Sequence, residues 1–184
     1  MYLGEHILAS DIGGRAAAPA RRTLVYGAPG AGVSSLVRQL LAAQQRARVC
    51  PTDGPLRIVE ASGDEDAIEL VGAAHGAQAA LVVLNALQPR AGVTRRSAYA
   101  ARLLGARRVI VAVNKMDLVG YAPQVFDRLE LEVLRHAGTP AAGWCFVPVS
   151  AGEGEMVASR GARMPWYRGP TLAEALGTPQ ALAA

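Results

Sequence analysis

Asn114-Lys115-Met116-Asp117, directly behind the apolar run Val109-Ile110-Val111-Ala112-Val113, decides how the rest of the chain is read. An uninterrupted branched run of this length suits a strand buried on both faces. A polar tetrapeptide at its end then stands at the carboxyl edge of a parallel sheet, where such sheets bind ligands. An ionised Asp117 accepts two N–H bonds in a planar fork, and charge-assisted bonds of this kind are the strong ones. Guanine offers that pair through N1–H and its exocyclic amine; adenine does not. Selectivity of this origin reaches roughly 10⁴-fold, because the wrong base leaves a buried carboxylate unpaired. Asn114 would tie loops together, and the stem of Lys115 would cover the ring face. Ser150-Ala151, behind the next apolar run Phe146-Val147-Pro148-Val149, supplies the second half of the site. There the N–H of Ala151 is expected to meet the guanine carbonyl oxygen. The competing reading is a plain strand-to-helix turn in which Asp117 caps a helix.

Upstream, Gly27-Ala28-Pro29-Gly30-Ala31-Gly32-Val33-Ser34, followed by Ser35, has the frame G-x-x-x-x-G-K-[ST] between a strand at 23–26 and a helix at 33–46. Glycines let backbone N–H groups converge on an anion, and the helix N-terminus adds partial positive charge. Ser34 stands where a Mg²⁺-binding hydroxyl belongs, but Val33 holds the place of the lysine. Losing that ammonium removes about 1.5–3 kcal/mol of charged hydrogen bonding, or roughly ten- to a hundredfold in affinity. A glycine-rich turn that binds nothing is the alternative.

Further strands are expected at 56–60, 80–85, 108–113 and 145–149, with helices at 64–75, 94–104, 122–136 and 172–176. Strands alternating with helices imply a three-layer α/β/α domain with a mainly parallel sheet. Residues 1–20 read as an N-terminal arm, 21–177 as one domain and 178–184 as a flexible tail. Only about ten residues separate the first helix from the strand at 56, so five parallel strands are expected without the usual antiparallel edge strand.

Composition narrows the classes. The chain has 184 residues, 51% of them hydrophobic and 5% aromatic, enough for one sizeable core. Its longest apolar runs are too short to span a bilayer, and its start lacks a secretory pattern. Cys50 and Cys145, the only cysteines, form no disulfide framework or metal cluster, so a reducing cytoplasm is expected. The net charge of +4 is almost entirely arginine scattered along helices, and Lys115 is the only lysine. Without interleaved aromatics or zinc spacing, nothing favours a nucleic-acid partner.

Three stretches carry a more specific likeness: 111–121 (VAVNKMDLVGY), 146–151 (FVPVSA), and Met164-Pro165-Trp166-Tyr167-Arg168-Gly169-Pro170-Thr171-Leu172. From about Arg22 onward, and most closely over 103–176, the chain resembles the GTPase subunit of sulfate adenylyltransferase, a relative of the translation elongation factors. The resemblance implies a P-loop GTPase-type G domain followed by β-barrels. It also implies a partner nucleotidyltransferase subunit making adenylyl sulfate, driven by GTP hydrolysis. This sequence carries the G domain alone, and the barrels are expected to be absent.

The family's D-T-P-G-H corresponds to Glu60-Ala61-Ser62-Gly63-Asp64. Glu60 keeps a carboxylate toward Mg²⁺, one methylene longer, and Gly63 keeps a backbone N–H for a γ-phosphate. Asp64 replaces the histidine that would position water, and a carboxylate there repels the phosphate. The Mg²⁺-binding threonine of the switch segment has no clear counterpart; Thr52 lies too near Glu60. The expectation is therefore a domain that holds GTP or GDP, with Mg²⁺ weakly held through Ser34 and Glu60, and weak or no hydrolysis. A slow GTPase coupled to adenylyl sulfate synthesis is one alternative, and a nucleotide-free interaction module is another.

Overall fold

Strands whose side chains are buried in succession, rather than alternately, belong in the middle of a sheet covered on both faces. Three segments have that pattern, Arg21–Gly27, Ala79–Asn85 and Arg108–Asn114, with at least five consecutive buried residues each. The structure, a computed structural model, describes residues 5–7, 21–47, 56–62, 79–88, 108–137 and 144–177. In chain order these form β1 (Glu5–Ile7), β2 (Arg21–Gly27), α1 (Val33–Ala47), β3 (Leu56–Ser62), β4 (Ala79–Asn85), β5 (Arg108–Asn114), a 3₁₀ turn (Met116–Val119), α2 (Pro123–Ala137), β6 (Trp144–Pro148) and α3 (Leu172–Gly177). The helices expected at 64–75 and 94–104 lie outside the described residues, as do Thr52, Gly63, Asp64 and 178–184.

The sheet has six strands in the order β1-β3-β2-β4-β5-β6. The pairings from β3 through β6 are all parallel, giving the five parallel strands expected. The expectation of a missing antiparallel edge is corrected: β1 pairs antiparallel with β3, Glu5 opposite Val59 and Ile7 opposite Arg57. The arm before β2 supplies this edge strand. An exposed strand edge presents unpaired N–H and C=O groups, and covering it removes a template for aggregation.

Register brings the strand ends to one edge. Gly27 stands beside Ser62 and Val83, Asn85 beside Asn114, and Val113 beside Pro148. α1 buries Leu36, Val37 and Leu40 at helical spacing and exposes Arg38. α2 opens on Pro123, well suited to a first helical position, and buries Phe126, Leu129 and Val133. α3 is opened by a capping box: Thr171 N–H donates to Glu174 Oε2 at 2.8 Å, and Glu174 N–H donates to Thr171 Oγ1 at 3.2 Å.

Candidate functional site

The phosphate-loop frame leaves β2 at Gly27 and enters α1 at Val33. Ala31 N–H donates to Ala28 C=O at 2.9 Å, closing a turn, and Leu36 N–H donates to Gly32 C=O at 3.0 Å, the first bond of the helix. Gly30 and Gly32 have φ of 79° and 87°. At Gly32 glycine is required twice over, because a Cβ there would also lie 2.5 Å from Asn114 Nδ2. Gly27 has its own reason: a Cβ would meet Val33 Cγ2 at 2.5 Å and the Val83 carbonyl at 3.1 Å. Val33 is thus folded back over Gly27 and belongs to the hydrophobic core. Pro29, Ser34 and Ser35 are exposed.

Two asparagines hold this loop from neighbouring strand ends. Asn114, 1% exposed, donates from Nδ2 to Ala31 C=O at 2.8 Å, and its Oδ1 accepts the Ala151 N–H at 3.0 Å. One buried side chain therefore ties the phosphate loop to the loop behind β6. Asn85 donates to Gly30 C=O at 3.3 Å, while its Oδ1 accepts the Leu87 N–H at 3.0 Å. The sequence marks Asn85 only as a strand end. The signal available was that β4 and β5 both close an apolar run with asparagine.

In the tetrapeptide after β5, Met116 is fully buried and its N–H donates to Val149 C=O at 3.2 Å. Anchoring this residue turns Lys115 and Asp117 toward the surface, and both are half-buried. Lys115 has φ 66° and ψ 36°, a left-handed conformation that costs a non-glycine residue on the order of 1 kcal/mol or more. Its Cε lies 3.9 Å from the Cβ position of Gly32, so its stem runs beside the phosphate loop. Asp117 does not cap a helix. It lies inside the 3₁₀ turn, and its Oδ1 accepts the Ser150 hydroxyl at 2.6 Å. Ser150 is fully buried, and its Oγ also accepts the Glu153 N–H at 3.4 Å. The Ala151 N–H, expected to face a guanine carbonyl oxygen, is engaged by Asn114 in this structure.

Outside these loops, Tyr121 donates its hydroxyl to Glu153 Oε2 at 2.7 Å, and Arg163 lies 3.1 Å from the same oxygen. Burial and the Glu153 bond push the Tyr121 phenol up to about 12, with Arg163 pulling the other way. Trp166 and Tyr167 are packed on the domain itself, their rings 5.5 and 5.8 Å from Phe126. The Tyr167 hydroxyl donates to Phe146 C=O at 2.6 Å, and burial raises its pKa further than that of Tyr121.

For a metal, the described residues hold no group of three or more His, Cys, Asp or Glu. Glu60 stands in β3 beside Val25, two residues before the Ser62–Gly27 pair at the sheet edge. No helix among the described residues is long and apolar enough to cross a membrane.

The family model of the elongation factor Tu GTP binding domain matches residues 45–178. The chain belongs to that family. The match begins beyond the phosphate loop, where Val33 departs from the motif, and contains both halves of the tetrapeptide site. Among curated relatives, elongation factor 1-alpha of Thermococcus gammatolerans is 37% identical over 128 residues, 66% of this chain and 29% of that protein. Sulfate adenylyltransferase subunit 1 of Citrobacter koseri is 43% identical over 110 residues, 57% of this chain and 23% of that protein. The chain thus spans less than a third of the length of either relative. Sup35 complexed with GMPPNP shares the fold with a TM-score of 0.64, 24% identity, 89% of this chain and 46% of that one. Sar1 from Encephalitozoon cuniculi in complex with GDP follows at a TM-score of 0.56, 16% identity, 85% of this chain and 77% of that one. At these identities the structural likeness speaks for the fold alone. The fold is that of a P-loop GTPase-type α/β domain, here a translation-factor-type G domain.

Proposed function

We propose that this G domain binds GDP or GTP through an intact base site and a weakened phosphate site, and hydrolyses GTP poorly or not at all. The observation that carries the reading is Asn114, whose one buried amide fastens the phosphate loop to the loop of Ser150 and Ala151. With Asp117 held by Ser150, both carboxylate oxygens present acceptor sites toward a base edge carrying two N–H donors. The Ala151 N–H would then be shared between Asn114 and the guanine oxygen, or Asn114 would yield it on binding.

Backbone N–H groups at the head of α1 and the glycine turns supply a cradle for phosphate. Val33 contributes no cation to it: the side chain is aliphatic and packs in the core. Phosphoryl transfer depends on positioning and charge at the γ-phosphate, so turnover suffers more than binding. Ser34 and Glu60 are the residues that would hold Mg²⁺. The ion would supply charge neutralisation between phosphates, and Gly63 would meet a γ-phosphate.

The more specific role we propose is the G domain of a sulfate-activating GTPase subunit, acting with an adenylyl-sulfate-forming nucleotidyltransferase. Its support is the 43% identity to sulfate adenylyltransferase subunit 1 and the run from Met164 to Leu172. Calorimetric titration with GDP, GTP and ADP, with and without Mg²⁺, tests the reading. Guanine-selective binding that depends little on Mg²⁺ or the γ-phosphate is expected. Absence of any nucleotide binding would overturn it and leave a protein-interaction module. The Val33 plug is the observation that favours this second reading.

A further inference from the structure

The run Met164-Pro165-Trp166-Tyr167-Arg168-Gly169-Pro170-Thr171-Leu172 contributes nothing directly to the proposed base site, yet it converges behind it. Trp166 donates Nε1–H to the carbonyl of Tyr121 at 3.0 Å, four residues beyond Asp117. Tyr121 has φ 57°, a conformation that a residue of its bulk rarely adopts, so its place is held from outside. Its hydroxyl reaches Glu153. Arg163 completes the group, 3.1 Å from the same carboxylate oxygen and 5.5 Å from the centre of the Tyr121 ring. Glu153 leads back to the base loop, since its N–H donates to the Ser150 hydroxyl that in turn holds Asp117. The contacts form a closed ring running from Asp117 along the chain to Tyr121, across to Glu153, and back through Ser150.

We infer that Tyr121, Glu153, Arg163 and Trp166 are positioning residues that aim the Asp117 carboxylate, so that the segment behind β6 sets guanine selectivity without touching the base. The inference rests on the guanine reading above. A two-bond fork requires both carboxylate oxygens to lie near the plane of the base edge, and hydrogen bonds weaken steeply once misaligned. Ser150 fixes one oxygen of Asp117. The Tyr121–Glu153 bond fixes the separation of the two loops that carry this pair. Glu153 and Arg163 are 41% and 57% exposed, so their ion pair adds little to folding stability. Its effect is geometric.

Tyr121→Phe, Glu153→Gln and Trp166→Phe each remove one link, and none of these residues is placed against nucleotide. The probes are GDP and inosine diphosphate, which keeps N1–H but lacks the exocyclic amine, titrated calorimetrically. In the variants GDP affinity is expected to fall about five- to tenfold, a partial loss of one charge-assisted bond. Inosine diphosphate affinity stays nearly constant, so the ratio of the two contracts while the melting temperature holds. An unchanged ratio, or an equal loss for both nucleotides, overturns the positioning role alone. A wild-type protein that fails to prefer GDP over both inosine diphosphate and ADP sinks the guanine reading and the inference together. If Trp166→Phe unfolds the domain, the isosteric surface change Glu153→Gln decides the matter.

Discussion

Asn114 reaches back 83 positions along the chain to donate to the carbonyl of Ala31, while its other amide atom accepts from Ala151. Removing it by Asn114→Ala leaves two buried backbone groups unpaired, at about 1–3 kcal/mol each. The melting temperature of the variant should fall by roughly 5–20 °C. GDP binding in calorimetry should be lost with it. A variant as stable as wild type would show that the two loops hold their places without this amide.

Asp117→Asn replaces one acceptor of the fork with a donor that faces the guanine N–H groups. GDP affinity should drop at least about tenfold, and the preference for GDP over ADP should vanish. Retained wild-type selectivity in a direct competition titration would locate base recognition elsewhere.

Val33→Lys tests the phosphate site against the core. The new ammonium should tighten GDP and GTP by roughly ten- to a hundredfold relative to guanosine. The nucleotide-free protein should melt earlier, since a buried valine contributes about 1.5–3 kcal/mol. Unaltered phosphate affinity would mean that the lysine stem follows the valine into the core above Gly27.

Gly30 and Gly32 have similar positive φ but different surroundings. Gly30→Ala enters open space and should cost only the left-handed penalty, on the order of 1–2 kcal/mol. Gly32→Ala adds a collision with Asn114 and should cost more while weakening GDP binding. Denaturant melts of the pair check the order, and equal losses would remove the clash from the account.

Tyr121 supplies a pH dependence. Its ordinary value of 10 is raised to about 12, so the folded protein holds this proton more tightly than the unfolded chain. Stability from this group is therefore constant below about pH 10 and declines between there and about pH 12. Ultraviolet titration of the phenols, compared with Tyr121→Phe because the chain has five tyrosines, should show one late-titrating ring absent from the variant.

What was legible in the sequence was local. β4, β5 and β6 announced themselves as contiguous apolar runs, and the polar residues closing β5 stood next to such a run in the chain. The bond between Asn85 and Gly30 joins residues 55 apart, and its only local trace is the asparagine that closes the apolar run of β4 as Asn114 closes that of β5. The antiparallel edge was missed for a related reason. Chain length bears only on the link between α1 and β3, whereas Glu5–Ile7 comes from the far side of β2. The engagement of the Ala151 N–H by Asn114 likewise joins residues 37 apart, from the ends of two different strands, and neither stretch shows it alone.

β1 also has a kinetic meaning. Its three pairs with β3 close a span of 54 residues between Glu5 and Val59, a large loop entropy set against very few hydrogen bonds. Such a contact forms late and opens first. In hydrogen exchange the β3 amides facing β1 should lose protection well before those of β4 and β5. The outer rim of the sheet would then behave as a latch whose opening leaves the nucleotide loops untouched.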